Sequence, residues 1–315
     1  MQVGVMVPQG WKREYDGWEP VAAWADAVTK ARQAEALGFE SAWVFDHFTT
    51  VPDPVEEITF ESFTMLAALA QATSRMRLGH LVVCTGFRNP ALTAKLASTL
   101  DVISGGRFEL GIGAGWKEDE WVAYGYGFPQ LADGLAALGD HLEVISRMLA
   151  PGRATYEGRY ATVLGAINVP KGAGGHIPIV VGGNGPKVTF RLAARFADEL
   201  NLVYIGPQEV AELIPVARQR CQEIGRDPAT LRLSIYCADE VVQGAGQERI
   251  DRIGAFAALG LDRFVGFPSR WDMSADGLPR FAEDCRAAGI ELVPAAGQAS
   301  GSGAGGRQRS IGAGS

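Results

Sequence analysis

The stretch IPIVVGGNGPKVTFRLAARFADELN, residues 177–201, contains the repeating unit of this chain. An apolar run at 177–181 is followed by a glycine-rich turn at 182–185, a helical pattern at 187–196 and a second apolar run from Glu199. A short apolar run before a glycine turn and a helix is typical of a βα unit, because parallel strands are buried on both faces. The stretch therefore predicts one strand, its helix and the next strand of a parallel sheet.

The same unit recurs along the whole chain. Apolar runs predict strands at 3–7, 41–45, 78–83, 108–112, 177–181, 199–203, 231–237 and 263–267. Helical patterns follow at 21–37, 60–72, 90–103, 131–149, 187–196, 207–224, 247–259 and 275–288. Glycine, the residue best suited to a left-handed helix end, directly follows four of them, at Gly38, Gly225, Gly260 and Gly289, and Gly105 follows Ser104 at the end of another. Eight units predict an α/β fold, a closed (β/α)8 TIM barrel.

One segment departs from the repeat, and one end of the chain lacks any pattern. Residues 151–176, between the fourth helix and the fifth strand, predict a small β insertion that shapes the barrel mouth, with a decorative loop as the alternative. No linker interrupts residues 1–294, which predicts a single domain. Residues 295–315 are rich in Gly, Ser and Ala and predict a disordered tail.

Composition argues against several classes of function. The formal net charge of -7 argues against nucleic acid and anionic membranes as partners, because both require a basic surface. The start of the chain shows no signal-peptide pattern, and no apolar run is long enough to span a bilayer. The four cysteines are far apart and predict neither a zinc site nor disulfides. A cytoplasmic protein without a metal site is expected.

In a barrel of this kind, catalytic residues lie at the carboxyl ends of the strands. The second strand ends in Asp46-His47, and a histidine next to a carboxylate is suited to proton transfer near neutral pH. The other three histidines, His80, His141 and His176, fall in a strand, a helix and a loop. His47 is therefore the candidate acid or base, and a structural histidine is the alternative.

Two glycine-rich strand ends are candidates for cofactor binding. Gly182, Gly183, Asn184 and Gly185 stand between a strand and a helix, where backbone amides and the helix N-terminus favour a phosphate; an ordinary turn is the alternative. The run Gly113-Ala114-Gly115-Trp116 predicts a tight strand exit, since it lacks a complete dinucleotide fingerprint.

Acidic and aromatic residues cluster after this exit. Glu118, Asp119 and Glu120 are expected to form a solvated helix start, although general acids or bases are the alternative. Aromatic side chains are dense near the expected rim and either line a pocket for a planar ring or belong to the core: Trp11, Trp18, Trp43, Phe48, Trp116, Trp121, Tyr124 and Tyr126.

Taken together, these motifs resemble the luciferase-like monooxygenase family, and within it the actinobacterial oxidoreductases that depend on coenzyme F-420, an 8-hydroxy-5-deazaflavin. The resemblance runs from the first strand to about the seventh. It is carried by VPQGW (7–11), ESAWVFDHF (40–48), RNP (88–90), SGGRFELGIGAGW (104–116), YGYGFP (124–129), residues 177–201 and GRD (225–227).

The resemblance implies a role for each matching position. Asp46 is implied to lie near the cofactor ring, and His47 is implied to be the proton donor or acceptor. The end of the third strand, with Leu81, Val82 and Cys84, matches a bulge that carries a non-proline cis peptide, best placed at Leu81-Val82. The remaining implied cofactor contacts are Gly113, Ala114, Gly115, Gly182, Gly183, Asn184 and Gly185.

One departure bears on the substrate. Trp116 stands where the family's sugar-phosphate dehydrogenases carry a glutamate, so a more apolar or aromatic substrate is expected, in a pocket with Trp11 and Tyr124. The resemblance implies hydride transfer with coenzyme F-420, or alternatively a reduced-FMN monooxygenase supplied by a partner reductase. A homodimer is also expected. A metal-dependent or Schiff-base lyase and a non-catalytic flavin-binding protein are the remaining alternatives.

Overall fold

The computed structural model describes residues 1–268 and 272–293. The predicted tail, residues 295–315, and the last residue of the predicted domain lie outside the described residues. Within them, the strands are β1 (Gln2–Met6), β2 (Ser41–Val44), β3 (Arg77–His80), β4 (Val83–Cys84), β5 (Phe108–Gly113), β6 (Arg153–Glu157), β7 (Thr162–Ile167), β8 (Ile179–Gly182), β9 (Glu199–Val203), β10 (Arg232–Tyr236) and β11 (Arg263–Gly266).

Nine of these strands form one parallel sheet that closes on itself. Their order is β3-β2-β1-β11-β10-β9-β8-β5-β4, and a direct pairing of β3 with β5 completes the circle. At the junction between the chain's ends, Val3 of β1 is paired with Phe264 of β11. We call each of the eight strand positions around the barrel a stave; β3 and β4 are two segments of one interrupted strand and together form the third stave. The sheet is therefore an eight-stranded barrel, and the predicted (β/α)8 TIM barrel is confirmed.

Helices surround the barrel between successive staves. They are α1 (Pro20–Leu37), α2 (Ser62–Ala72), α3 (Pro90–Ser104), α4 (Glu118–Ala123), α5 (Leu131–Leu149), α6 (Thr189–Phe196), α7 (Pro207–Glu223), α8 (Glu240–Gln243), α9 (Gln247–Ala258) and α10 (Gly277–Ala287). Helix α1 ends as predicted, at Gly38 in the left-handed conformation with φ 97°. Among the described residues, no helix combines the length and apolarity that a membrane crossing requires.

Helix α1 shows how the sequence attaches a helix to the sheet. Glu19 caps the N-terminus of the helix: its side chain accepts hydrogen bonds from the backbone amides of Val21 and Ala22. Pro20 occupies the first turn. The buried face is a stripe of small residues at helical spacing, Ala23, Ala27, Ala31 and Ala34. Small side chains on one face let the helix lie close to the strands, as a barrel requires.

The third stave is interrupted where the resemblance implied a bulge. Strand β3 ends at His80, β4 begins at Val83, and the peptide bond between Leu81 and Val82 is cis. The predicted single strand at 78–83 is therefore two short segments, both paired with β5.

The predicted β insertion is confirmed as a two-stranded antiparallel hairpin of β6 and β7. It packs on α5, where the hydroxyl of Tyr156 donates to Asp140 at 2.6 Å and the backbone amide of Tyr160 donates to the same carboxylate. No residue of this hairpin lines the large cavity at the barrel mouth. Its loop residue Tyr160 instead lines a neighbouring cavity that shares Ala114 and Trp121 with this one, so the expectation that the insertion shapes the entrance stays a prediction.

The amino end of the barrel is closed by charged side chains. Arg263 is fully buried and donates to the carboxylates of Glu109 and Glu199 at 2.8–3.0 Å, while its guanidinium lies 5.0 Å from the ring of Trp43. Glu40 accepts from the same guanidinium at 3.1 Å. This cluster occupies the barrel interior at the amino ends of the strands, whereas a cavity lies at their carboxyl ends.

Candidate active site

A cavity of about 560 Å³ lies at the carboxyl ends of the barrel strands. It brings together twelve of the predicted site residues: Trp11, Asp46, His47, Leu81, Val82, Cys84, Gly113, Ala114, Gly115, Trp116, Gly182 and Gly183. Asn184, Gly185 and Tyr124 do not line it. The volume falls in the range of small-molecule and cofactor sites.

His47 follows β2 and is held on three sides. Its ring stacks on Trp11 with centroids 4.2 Å apart and planes 2° from parallel, and Trp116 meets it edge-on at 5.8 Å. Its Nδ1 lies 2.7 Å from Oε2 of Glu120, and 12% of its side chain is exposed. These contacts leave Nε2 as the ring nitrogen available to a ligand.

Glu120 is the main residue that the sequence analysis misplaced. A solvated helix start describes Glu118 and Asp119, which are exposed, but it is wrong for Glu120, which is 1% exposed. Its Oε1 accepts from the backbone amides of Phe48 and Thr49 at 2.6 and 2.9 Å. Burial alone would raise the pKa of the Glu120 carboxyl, but the hydrogen bond and charge of His47 and these amides lower it below its ordinary value.

Asp46 lines the cavity, but its carboxylate already has three hydrogen-bond donors. Its oxygens accept from Ser62 Oγ at 2.9 Å, from the backbone amide of Cys84 at 2.9 Å and from Arg88 Nη1 at 2.7 Å. These bonds tie the end of β2 to the interrupted third stave. Asp46 therefore anchors the site, and its implied role near a cofactor ring stays a prediction.

The cavity floor is built around the side chain of Val82. A Cβ at Gly113 or Gly182 would lie 2.8 or 2.9 Å from this side chain, which is closer than real contacts allow. Glycine is thus required at both strand ends for Val82 to enter between them. Cys84 lies on the same side, where burial raises the pKa of its thiol to about 12, so it stays protonated.

The glycine turn after β8 is only partly available to a ligand. The amide of Gly183, whose φ is 133°, donates to the carbonyl of Asn201, and the side chain of Asn184 bonds the backbone of Val203 in both directions. The backbone amides of Asn184 and Gly185 have no hydrogen-bond partner in the described ranges. They stand before helix α6, where an anion is favoured.

Aromatic and cationic groups that the sequence did not single out also line the cavity. The hydroxyls of Tyr204 and Tyr236 lie 3.1 Å apart, and Asn201 lines the wall beside them. Lys12 lies over the Trp11 ring at 4.1 Å, and Lys117 forms an ion pair with Asp119. Tyrosine at a strand end is also common in cores, so the sequence gave no reason to single out Tyr204 and Tyr236.

Two of the predicted pocket aromatics lie at the rim. Trp116 is 64% exposed and borders the cavity, as expected for a residue at its entrance. Tyr124 packs on Phe48 at 4.6 Å outside the cavity, so its predicted pocket position is wrong. The Gly115 that precedes Trp116 has φ 83° and makes the predicted tight exit from β5.

Comparison with known proteins identifies the family. A family model described as luciferase-like monooxygenase matches residues 1–259. The chain belongs to the luciferase-like monooxygenase family, and the expectation of an enzyme of this family is confirmed.

Among curated relatives, the chain is 32% identical over 196 residues to an F420-dependent glucose-6-phosphate dehydrogenase from Intrasporangium calvum. This alignment covers 61% of the chain and 57% of that relative, which is less than two thirds of its length. The pyrimidine monooxygenase RutA from Agrobacterium fabrum is 26% identical over 78% of the chain and 69% of its own length.

Solved structures share the fold. An F420-dependent secondary alcohol dehydrogenase in complex with an F420-acetone adduct matches with a TM-score of 0.77 and 21% identity, over 91% of this chain and 98% of that one. A riboflavin lyase with modified FMN and riboflavin matches with a TM-score of 0.75 and 15% identity, over 92% of each chain.

Proposed function

We propose that this member of the luciferase-like family transfers a hydride between coenzyme F-420 and a small organic substrate in the cavity at the barrel mouth. The observation that carries the proposal is His47, held by Glu120 and Trp11 in a mostly apolar cavity. The most similar F420-dependent relative named above supports this cofactor.

The described residues fit a planar cofactor that carries a phosphate. Leu81, Val82 and Gly113 line the cavity with apolar side chains and glycine backbone, surfaces on which a planar ring can pack. The amides of Asn184 and Gly185, before helix α6, would hold a phosphate. Deazaflavin, when bound, supplies a carbon that accepts or donates a hydride.

The chain's own residues manage the accompanying proton. His47 Nε2 takes the proton from a substrate hydroxyl in one direction and returns it in the other, which is general acid–base catalysis. Trp11 stacks on the imidazole and Glu120 bonds its Nδ1, so the ring is presented in one orientation. The surrounding aromatic walls exclude water and favour a substrate with an apolar or aromatic body, as Trp116 at the rim also indicates.

A reduced-FMN monooxygenase is the second candidate, because the pyrimidine monooxygenase relative aligns with 78% of the chain. A partner reductase would then supply the flavin. Deazaflavin does not activate oxygen, so the two functions differ in a measurable way. Purified protein is given reduced coenzyme F-420 or reduced FMN with a panel of aromatic and alkyl ketones, while oxygen uptake is followed with an electrode. Ketone reduction with coenzyme F-420 in a parallel assay without oxygen supports the proposal. Protein-dependent oxygen uptake with reduced FMN, above the autoxidation of the free flavin, in its place overturns it.

A cytoplasmic homodimer is part of the same proposal. The four cysteines, Cys84, Cys221, Cys237 and Cys285, are buried free thiols, in keeping with a reducing compartment. Light scattering of the purified protein tests the assembly, and a monomeric mass would reject the dimer.

A further inference from the structure

We propose that Glu120 is a positioning residue: it holds the proton of neutral His47 on Nδ1 and leaves Nε2 as the proton acceptor in the cavity. The consequence for turnover rests on the proposed function, but the tautomer itself is a property of the protein alone.

Glu120 is surrounded by donors. Its Oε1 accepts from the amides of Phe48 and Thr49, and a backbone amide cannot reverse its role. Its Oε2 faces Nδ1 of His47 at 2.7 Å. Because the lowered pKa of Glu120 keeps it ionised at neutral pH, the carboxylate can only accept. Nδ1 must then carry the hydrogen.

The carboxylate cannot move away from this position without disturbing the cavity wall. Trp121, the next residue after Glu120, is 5% exposed and packs tightly against two glycines. A Cβ at Gly86 would lie 1.8 Å from the Trp121 ring, and one at Gly115 would lie 2.9 Å from it. The short helix α4 is therefore fixed through Trp121, and Glu120 is fixed with it.

The imidazole is equally restricted. Trp11 covers one face and Trp116 meets the ring at its edge, so rotation of the ring would lose both contacts. Nε2 has no hydrogen-bond partner in the part of the chain that is described. The fixed carboxylate and the fixed ring together give one tautomer, as second-layer carboxylates do for metal-bound histidines.

Other charged or polar groups share the cavity: Lys12, Asp46, Cys84, Lys117, Tyr204 and Tyr236. Among the described residues, Glu120 alone is hydrogen-bonded to a ring nitrogen of His47. A direct reading of the tautomer therefore separates its effect from theirs.

The first test uses Glu120→Gln without any cofactor. Glutamine keeps one oxygen for the amides of Phe48 and Thr49 and turns its NH2 group towards His47, which forces Nδ1 to accept. Nitrogen NMR of histidine-labelled protein at alkaline pH distinguishes protonated from unprotonated ring nitrogens, and His47→Asn assigns the signals. We expect hydrogen on Nδ1 in the natural protein and on Nε2 in Glu120→Gln. Hydrogen on Nε2 in the natural protein overturns the proposal, even if the variant does not fold.

The second test measures turnover with coenzyme F-420 over a range of pH. Glu120→Gln is expected to lower kcat by about 10²-fold, with a changed pH profile and an unchanged cofactor Kd, because the proton acceptor is lost. Glu118→Gln, in the same turn but exposed, is the matched control and should behave as the natural enzyme. If the tautomer changes but no variant or natural enzyme turns over coenzyme F-420, the proposed function fails and the positioning role stands. Normal kcat in Glu120→Gln overturns the positioning role.

Discussion

His47 combines three contacts that are individually ordinary and together define an orientation: a carboxylate at Nδ1, an indole on its face and a second indole at its edge. At the scale of a single residue, the site is therefore a proton acceptor that is oriented before any ligand binds.

Replacing His47 by Asn removes the proton acceptor while leaving a polar side chain of similar size. We expect kcat with coenzyme F-420 to fall by about 10²–10⁴-fold, since general acid–base catalysis typically contributes that much. Cofactor Kd, measured by fluorescence titration, should stay nearly unchanged. His176→Asn is the control, because that histidine is exposed and bonds only Asp198. Normal kcat in His47→Asn would remove His47 from the reaction.

Single residues also show where reasoning from the sequence succeeds. His47 and the glycines of the strand ends could be predicted, because strand position alone brings them to the mouth. Glu120 could not be, since its partner His47 is 73 positions away and an acidic helix start is usually solvated. Burial of that carboxylate depends on tertiary packing of Trp121, which no local pattern encodes.

At the scale of elements, the third stave and the turn after it pack closely against helix α4. The turn Thr85–Phe87 follows β4 directly, and the ring of Trp121 from α4 packs on Gly86. The βα units and the hairpin of β6 and β7 were predictable from apolar runs and turn residues. The packing position of the hairpin was not predictable, because it depends on hydrogen bonds to Asp140 in α5.

Substituting Gly86 by Ala tests this fit. The added methyl group would lie 1.8 Å from the Trp121 ring, so the wall must shift, and we expect a loss of about 1–3 kcal/mol in the free energy of unfolding. Gly254→Ala in α9 is the control, since nothing lies within 4 Å of its added Cβ. That change should stabilise the protein by about 0.4–1 kcal/mol. Equal stability of the two variants in urea unfolding would refute the close packing.

At the scale of the whole molecule, the barrel has a charged base and a largely apolar mouth. Arg263 joins β11 to Glu109 of β5 and Glu199 of β9 across the barrel interior. Burial of the arginine would lower its pKa, but the surrounding carboxylates raise it instead. The charged cluster around Arg263 thus links strands from both halves of the chain. The carboxyl ends of the barrel strands remain for a ligand.

Arg263→Met is expected to destabilise the protein by about 3–5 kcal/mol, because it leaves buried carboxylates without their partner. Urea unfolding monitored by tryptophan fluorescence gives the value. Arg280→Met, which removes an exposed ion pair with Asp272, should change stability by less than about 1 kcal/mol. A loss no larger than that of the control would show that the cluster does not hold the barrel together.

Binding of coenzyme F-420 in the cavity at the barrel mouth can be measured directly by fluorescence titration. Val203 lines the cavity, so Val203→Trp should fill part of it, whereas Val21→Trp adds the same ring to an exposed site on α1. We predict saturable binding to the natural protein and to Val21→Trp, and binding weakened at least about tenfold in Val203→Trp, which corresponds to about 1.4 kcal/mol. Absence of binding to the natural protein, or equal binding to all three proteins, would contradict the account.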